Sequence, residues 1–213
     1  GRFVAGFARP DFVSRGSVIR EGILESLTMT VVSTVFGLII SVPVSLGAAR
    51  NIAPKGVYLF CRGIITLSRT FQEVIIAIFF VAMFGFGPFA GVVTLSFATI
   101  GFLAKLLAED IEEIDPVQLE SIRATGAGWL QTVSYAVFPQ VMPRLVGLSL
   151  YRVDINFRES AVIGIVGAGG IGAALNTSFS RYEYDTSAAI LLVIIGIVLV
   201  AEHLSGKIRA RVS

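Results

Sequence analysis

An all-α, polytopic membrane helix bundle of about five spanning helices is the fold class this sequence predicts, and three observations predict it. Of the 213 residues, 54% are hydrophobic and only 15% are charged, against about 25% charged in ordinary soluble domains. With a mean hydropathy of +0.81, the chain lacks the polar surface that a water-soluble globule needs. Its charges also cluster, which leaves several stretches of the roughly 20 mostly apolar residues that a spanning helix requires. Turn-forming residues fall between those stretches.

The first helix covers residues 24–49 and carries no charge after Glu25. It ends at Arg50-Asn51, before a loop at Pro54-Lys55-Gly56. Residues 74–104 are free of charge and too many for one span. Gly85-Phe86-Gly87-Pro88 inside them reads as a turn, giving helices at 57–84 and 89–108. A fourth helix, 141–165, is apolar but studded with Arg144, Arg152, Asp154, Arg158 and Glu159. The fifth runs from 186 to about 204 and is free of charge up to Ala201.

Residues 1–23 interleave Arg2, Arg9, Arg15 and Arg20 with apolar residues, so no cleavable signal peptide is visible. They form an N-terminal interfacial or periplasmic segment. The transmembrane domain then covers 24–207, and 208–213 form a cytoplasmic tail.

Lysines and arginines near the helix ends set the orientation. One set of alternate loops holds Arg50 and Lys55, then Lys105, Arg123 and Arg144, then Lys207, Arg209 and Arg211. The opposite set holds none at 85–88 and only Arg181 at 166–185. The first set is therefore expected in the cytoplasm, with the C-terminus. The four arginines of residues 1–23 fall on the outer side, against that rule.

Several function classes are excluded. A net charge of +2 without a basic, aromatic stripe argues against nucleic acid. Cys61 is the only cysteine and His203 the only histidine, so neither a cysteine-based metal site nor a histidine triad is tenable. Gly167, Gly169 and Gly172 match a dinucleotide-type Gly-x-Gly-x-x-Gly, but no strand–helix alternation surrounds them, and a lone match is weak. Together with Gly170 they read better as a Gly-rich element that permits close helix approach or a sharp re-entry near the outer face. No Gly-x-x-x-x-Gly-Lys-Ser/Thr loop exists, so this chain does not hydrolyse ATP.

The polar interlude at 109–140 is the most informative segment. Glu109, Asp110, Glu112 and Glu113 form an acidic run beyond a helix end. Asp115-Pro116 reads as an N-cap with proline at the first helical position, and Gln118 completes a capping-box pattern. This helix stops at Gly126 and a second follows to about Pro139, with Trp129 placed to anchor at the lipid interface. Both helices are expected outside the bilayer.

Glu120, Gly126, Ala136, Phe138 and Pro139 resemble the cytoplasmic loop of ABC importer permeases. That signature runs Glu-Ala-Ala, three residues, Gly, nine residues, an aliphatic, one residue, Leu-Pro. Ser121, Ile122, Ala136 and Phe138 depart from it, while Glu120, Gly126 and Pro139 hold their offsets. Further stretches are similar to the phosphonate-type branch: Ala48-Ala49-Arg50-Asn51, Gly85 to Gly91, Arg123 to Ala127, Pro139 to Pro143 and Val166 to Gly172. Methionine-type permeases share the Gly-rich element and loop plan but less of the rest. Phosphonate permeases usually carry a further helix upstream, which fits a chain whose first residue is Gly1.

The resemblance implies a type I importer transmembrane domain in a bacterial inner membrane, with residues 109–140 as coupling loop and Glu120, Arg123, Gly126 and Pro139 at the ATPase contact. It implies a second copy of this chain, two ATP-binding cassette subunits that hold ATP and Mg, and a periplasmic or lipid-anchored binding protein. The substrate would be a small phosphorus oxyanion such as phosphonate or phosphite. A permease for methionine or another small solute is the alternative. An intramembrane enzyme using Asp154, Glu159 and Glu73 has no nucleophile–base pair or metal-ligand set to support it.

Charges at membrane depth are costly and point to a pathway or a partner. Arg69 and Glu73 are spaced i,i+4, and so are Asp154 and Arg158. On the fourth helix, Arg152, Asn156 and Glu159 share a stripe roughly opposite the Asp154–Arg158 pair. Arginine offers an oxyanion a planar fork of donors, so Arg158 and Arg69 are the leading pathway candidates. The other reading is that their carboxylates neutralise them and the pairs only brace the bundle.

Overall fold

The structure is a computed structural model that describes Asp11 and residues 15–212, with side chains as far as His203. Among the described residues it is helical, with no strand. Helix α1 is Gly16–Ala48, α2 Lys55–Thr70, α3 Glu73–Phe84, α4 Pro88–Glu112, α5 Pro116–Ala124, α6 Trp129–Thr132, α7 Phe138–Ile165, α8 Gly170–Ser180 and α9 Tyr184–Val212. Four spans meet the length and hydropathy of a membrane crossing, and α2 with α3 makes a fifth that is bent by 95°. The described helices thus supply four spans, or five with the bent pair counted as one. Arg2 and Arg9 lie outside the described residues, and α9 runs continuously past residue 207 to Val212.

The predicted straight helix at 57–84 is the main correction. It breaks at Phe71-Gln72, where the sequence offers neither proline nor glycine. The signal present is polarity, since Ser68-Arg69-Thr70 and Gln72-Glu73 interrupt an apolar run. Breaking the span carries Glu73 onto a second helix, and the expected Arg69–Glu73 ion pair is not formed.

Helix α1 packs along α4 through a stripe of small and hydroxylic residues. Ser26, Thr30, Ser33, Thr34, Ser41 and Ser45 are buried. Thr30, Thr34 and Ser41 donate to the carbonyls of Ser26, Thr30 and Gly37 one turn back, so their polarity is satisfied inside α1. Small residues let backbones approach closely where no hydrophobic effect drives helices together.

Two ends of the bundle can be told apart. At one end the 49–54 loop, the α4 terminus, α5 and the start of α7 share a core of Ile52, Leu107, Ile111, Ile114, Leu119, Val137 and Val141. At the other the α3–α4 turn meets the Gly-rich turn, where Gly87 N–H donates to Gly167 O at 3.0 Å. Helix α8 runs beside the first turns of α1, with Ile171 N–H donating to Ser26 Oγ at 2.9 Å. Arg15 at the α1 start binds Glu183 beside the α9 start. That contact neutralises one of the arginines that run against the charge rule.

Candidate functional site: the 109–140 segment and the polar centre of the bundle

Helix α5 begins as its sequence requires. Asp115 Oδ1 accepts from Val117 N–H at 2.9 Å, and Pro116 takes the first turn. The predicted capping box is not completed by Gln118. The Asp115 N–H donates instead to Gln140 Oε1 at 2.9 Å, which fastens the start of α5 to α7. Gly126 ends the helix with φ +82 and donates to Arg123 O at 3.0 Å. Only Leu119 of α5 is buried, while Val117, Glu120 and Arg123 are exposed.

The second helix of the predicted pair is not a separate connector. Trp129–Thr132 passes through a π-helical turn at Val133–Val137 directly into α7. Pro139 explains the turn: it has no N–H for the Tyr135 carbonyl, and its ring crowds that carbonyl. A wider turn relieves both without stopping the helix. Pro139 therefore marks a bulge where the sequence suggested an end.

The segment is tied to the α1–α2 loop as well. Arg123 Nη2 donates to Asn51 O at 3.1 Å, and Trp129 Nε1 donates to Ile52 O at 3.4 Å. Trp129 thus bonds protein backbone as well as presenting an exposed ring. The same end carries a cluster that sequence reasoning missed. Glu112 Oε1 accepts from Arg62 Nη2 at 3.0 Å and from Arg50 N–H at 2.8 Å. Arg62 Nε also donates to Ala48 O at 2.9 Å. Glu112 had been legible only as part of an acidic run, since its partners lie 50 and 62 residues away. Asp110 pairs with Arg144 at 2.9 Å.

The second group of candidates lies in the middle of the bundle. Thr99 stands near the centre of α4, Thr34 near that of α1 and Arg152 at that of α7. Asn156 Nδ2 donates to Thr34 Oγ1 at 2.8 Å and to Thr99 Oγ1 at 2.9 Å. Arg152 Nε donates to the same Thr99 oxygen at 3.1 Å, and its Nη2 to Glu159 Oε2 at 3.3 Å. The Arg152 side chain is only 3% exposed, and its guanidinium lies 5.3 Å from the Phe102 ring centre. The predicted stripe of Arg152, Asn156 and Glu159 is thus one connected network.

A cavity of about 260 Å³ opens beside this network at the α2–α3 break, lined by Arg69, Gln72, Glu73 and Arg152 among others. Gly101 lets α2 in: a side chain there would run into Ser68, whose hydroxyl donates to Phe97 O at 2.6 Å. Arg69, Glu73 and Arg152 come together here. Asp154 and Arg158 do not join them. They pair with each other at 3.2 Å on another face of α7, with Asp154 buried and Arg158 half exposed.

Gly167, Gly169, Gly170 and Gly172 form the turn between α7 and α8. The first three have φ between +73 and +96, and a side chain on Gly172 would strike the Ala161 carbonyl. Residues 161–165 before them are helical, so the dinucleotide pattern is a coincidence of spacing.

The chain belongs to the family of binding-protein-dependent transport system inner membrane components, whose model matches residues 41–213. It is a multi-pass inner-membrane protein of that class. Among named proteins it is 44% identical over 203 residues to the phosphate-import permease protein PhnE of Mycolicibacterium smegmatis, covering 95% of this chain and 38% of that one. It is 40% identical over 201 residues to the phosphite transport system permease protein PtxC of Stutzerimonas stutzeri, covering 94% of this chain and 73% of that one. A probable D-methionine permease protein MetI of Vibrio cholerae is 26% identical over 127 residues, covering 59% and 56%. In structure, the MetNI methionine ABC transporter in an inward-facing conformation matches with a TM-score of 0.80 at 24% identity, over 94% of this chain and 100% of that one. These relatives are transport permeases, and the intramembrane-enzyme alternative falls with them.

Proposed function

We propose that this chain is the permease subunit of an ATP-driven importer and that two copies form the path of a small phosphorus oxyanion such as phosphonate or phosphite. Two ATP-binding cassette subunits would sit against α5, with ATP and Mg bound there and none in this chain. A periplasmic or lipid-anchored binding protein would deliver the anion to the opposite end. The observation that carries the reading is the construction of α5. It is capped at both ends, held by one buried leucine, and tied by Gln140 to α7 and by Arg123 to the α1–α2 loop. Around it Val117, Trp129 and Leu130 are exposed at the loop end of the bundle, where a partner would cover them. A rigid lever of this kind turns closure of the partner into rigid-body motion of the bundle.

The substrate class follows the relatives, whose names specify phosphate and phosphite. Likeness to the methionine transporter extends to the fold, so methionine is kept as the competing substrate in the test. The chain should be co-expressed with candidate ATPase and binding-protein subunits, purified, and reconstituted in proteoliposomes. ATP-dependent uptake of phosphite or methylphosphonate is expected. Uptake of methionine instead would replace the substrate, and failure of any ATPase to co-purify would remove the importer reading. Ser121, exposed on α5, gives a second check: Ser121→Cys should lose thiol labelling when the ATPase binds.

A further inference from the structure

An apolar span that breaks without proline or glycine must satisfy its freed backbone groups. Hydrocarbon cannot do so, and such breaks are tolerated only where they are buried in protein or line a watery cavity. The break at Phe71-Gln72 meets that condition on one side only. One flank of the bend is an apolar pocket of about 410 Å³ walled by Phe71, Phe79 and Phe80, among others. The other is the polar cavity of about 260 Å³, where Phe71 recurs beside Arg69, Gln72, Glu73 and Arg152. Phe71 is the partition between the two.

The polar side is built to receive negative charge. Helix α3 starts at its wall with no side-chain cap on its first N–H groups and with Glu73 as its own first-turn carboxylate, and a helix N-terminus favours anions. Arg69 lies in the last turn of α2 and is exposed to the cavity. Arg152 reaches it from α7, fully buried and fixed by Thr99, Glu159 and Phe102. Those bonds use Nε and one N–H of Nη2, so the guanidinium retains further donors for the cavity it lines. Glu73 lines the same space and lies within electrostatic reach of Arg152 and Glu159. Arg69 and Arg152 thus face Glu73 across the cavity, with Glu159 behind Arg152 as a second carboxylate; so close a balance lets the free guanidinium donors hold an oxyanion weakly, and a transit site must also release its cargo.

We propose that the cavity at the α2–α3 break is an intramembrane station for the transported oxyanion, held by Arg152, Arg69 and the N-terminus of α3. The station rests on the permease reading above. Of the two arginines favoured from sequence it keeps Arg69 and leaves out Arg158, which pairs on another face of the helix.

The test uses the complete transporter in proteoliposomes, with Cys61→Ala and Gln72→Cys in the permease. Gln72 is exposed and Arg69 is exposed, so neither change disturbs packing. Anionic and cationic thiosulfonate reagents of similar size are supplied on both sides of the membrane. The anionic reagent is expected to label Cys at 72 about tenfold faster than the cationic one, the lower end of electrostatic focusing in a charged cleft. That preference should collapse in the added variant Arg69→Gln, and phosphite should slow the labelling of the Gln72→Cys protein. Equal rates for both reagents with no protection by phosphite would overturn the station. ATP-driven phosphite uptake by the same vesicles would leave the permease reading intact in that case. If uptake is absent while the charge preference persists, the permease reading falls and the anion site stands.

Discussion

Arg158 stands half out of the protein on a helix that crosses hydrocarbon, and its partner Asp154 is nearly closed to solvent. One Asp154 oxygen accepts from Arg158, while the other, Oδ1, has no hydrogen-bond partner. Removing the arginine therefore leaves a buried carboxylate with nothing to offset it. Hydrogen bonds to charged groups contribute roughly 1.5–3 kcal/mol, so Arg158→Gln is expected to destabilise the permease by about 2 kcal/mol. Adding Asp154→Asn should recover most of that loss, because the two groups are coupled. Thermal unfolding of both single variants and the double variant in detergent measures the coupling. The geometry favours bracing for this pair, so the double variant should also transport. A double variant that assembles but does not transport would return Arg158 to the pathway.

At the scale of the element, α5 shows which parts of a site can be read locally. Asp115, Pro116 and Gly126 were legible because caps are set by neighbours within a few residues. Gln140, Asn51 and Glu112 were not, since their bonds to the segment or its loop depend on how distant helices come together. Two backbone events also escaped. Pro139 reads as a stop, yet a single π turn carries the helix through it. The Phe71-Gln72 break has no helix-breaking residue and is announced only by polar side chains in an apolar run. Of the pathway candidates, the stripe of Arg152, Asn156 and Glu159 was legible from helical period. The Arg69–Glu73 pair was not, because the i,i+4 argument presumes an unbroken helix. Gly126 gives the element its test. A side chain there meets no atom within 4 Å, so the penalty is conformational and not steric. A left-handed conformation costs a non-glycine residue roughly 1–2 kcal/mol. Asparagine tolerates it better than leucine. Gly126→Leu should leave the protein inserted but tilt α5 and uncouple ATP hydrolysis from uptake, whereas Gly126→Asn should stay coupled. Comparing ATP hydrolysed per anion imported distinguishes them, and normal coupling in Gly126→Leu would count heavily against α5 as the lever.

At the scale of the whole molecule, the bundle separates two chemistries at its two ends. One end gathers Arg50, Arg62, Glu112, Asp110, Arg144 and Arg123 into ion pairs and backbone bonds around α5. The other gathers glycine turns, Phe86 and Pro88, with Arg15 and Glu183 closing the α1 and α9 starts. That division matches the loop sets separated by lysine and arginine content. It also gives one of the arginines that run against the charge rule a local reason, since Arg15 is neutralised by Glu183. Orientation in the membrane then follows from the charged end, which should face the cytoplasm. Two isosteric substitutions test it in a Cys61→Ala background: Ser121→Cys on α5 and Ser180→Cys at the end of α8, both at exposed positions. The Ser121 and Ser180 hydroxyls bond only carbonyls of their own helices, so neither change removes a contact between elements. In intact cells lacking the ATPase, a membrane-impermeant thiol reagent should label the Ser180→Cys protein. The Ser121→Cys protein should react only after the membrane is permeabilised. Because α5 and α8 lie at opposite ends of one bundle, the two results must be opposite in any single orientation. Labelling of Ser121→Cys in intact cells with Ser180→Cys protected would invert the protein, placing α5 where no ATPase can reach it and removing the lever together with the importer.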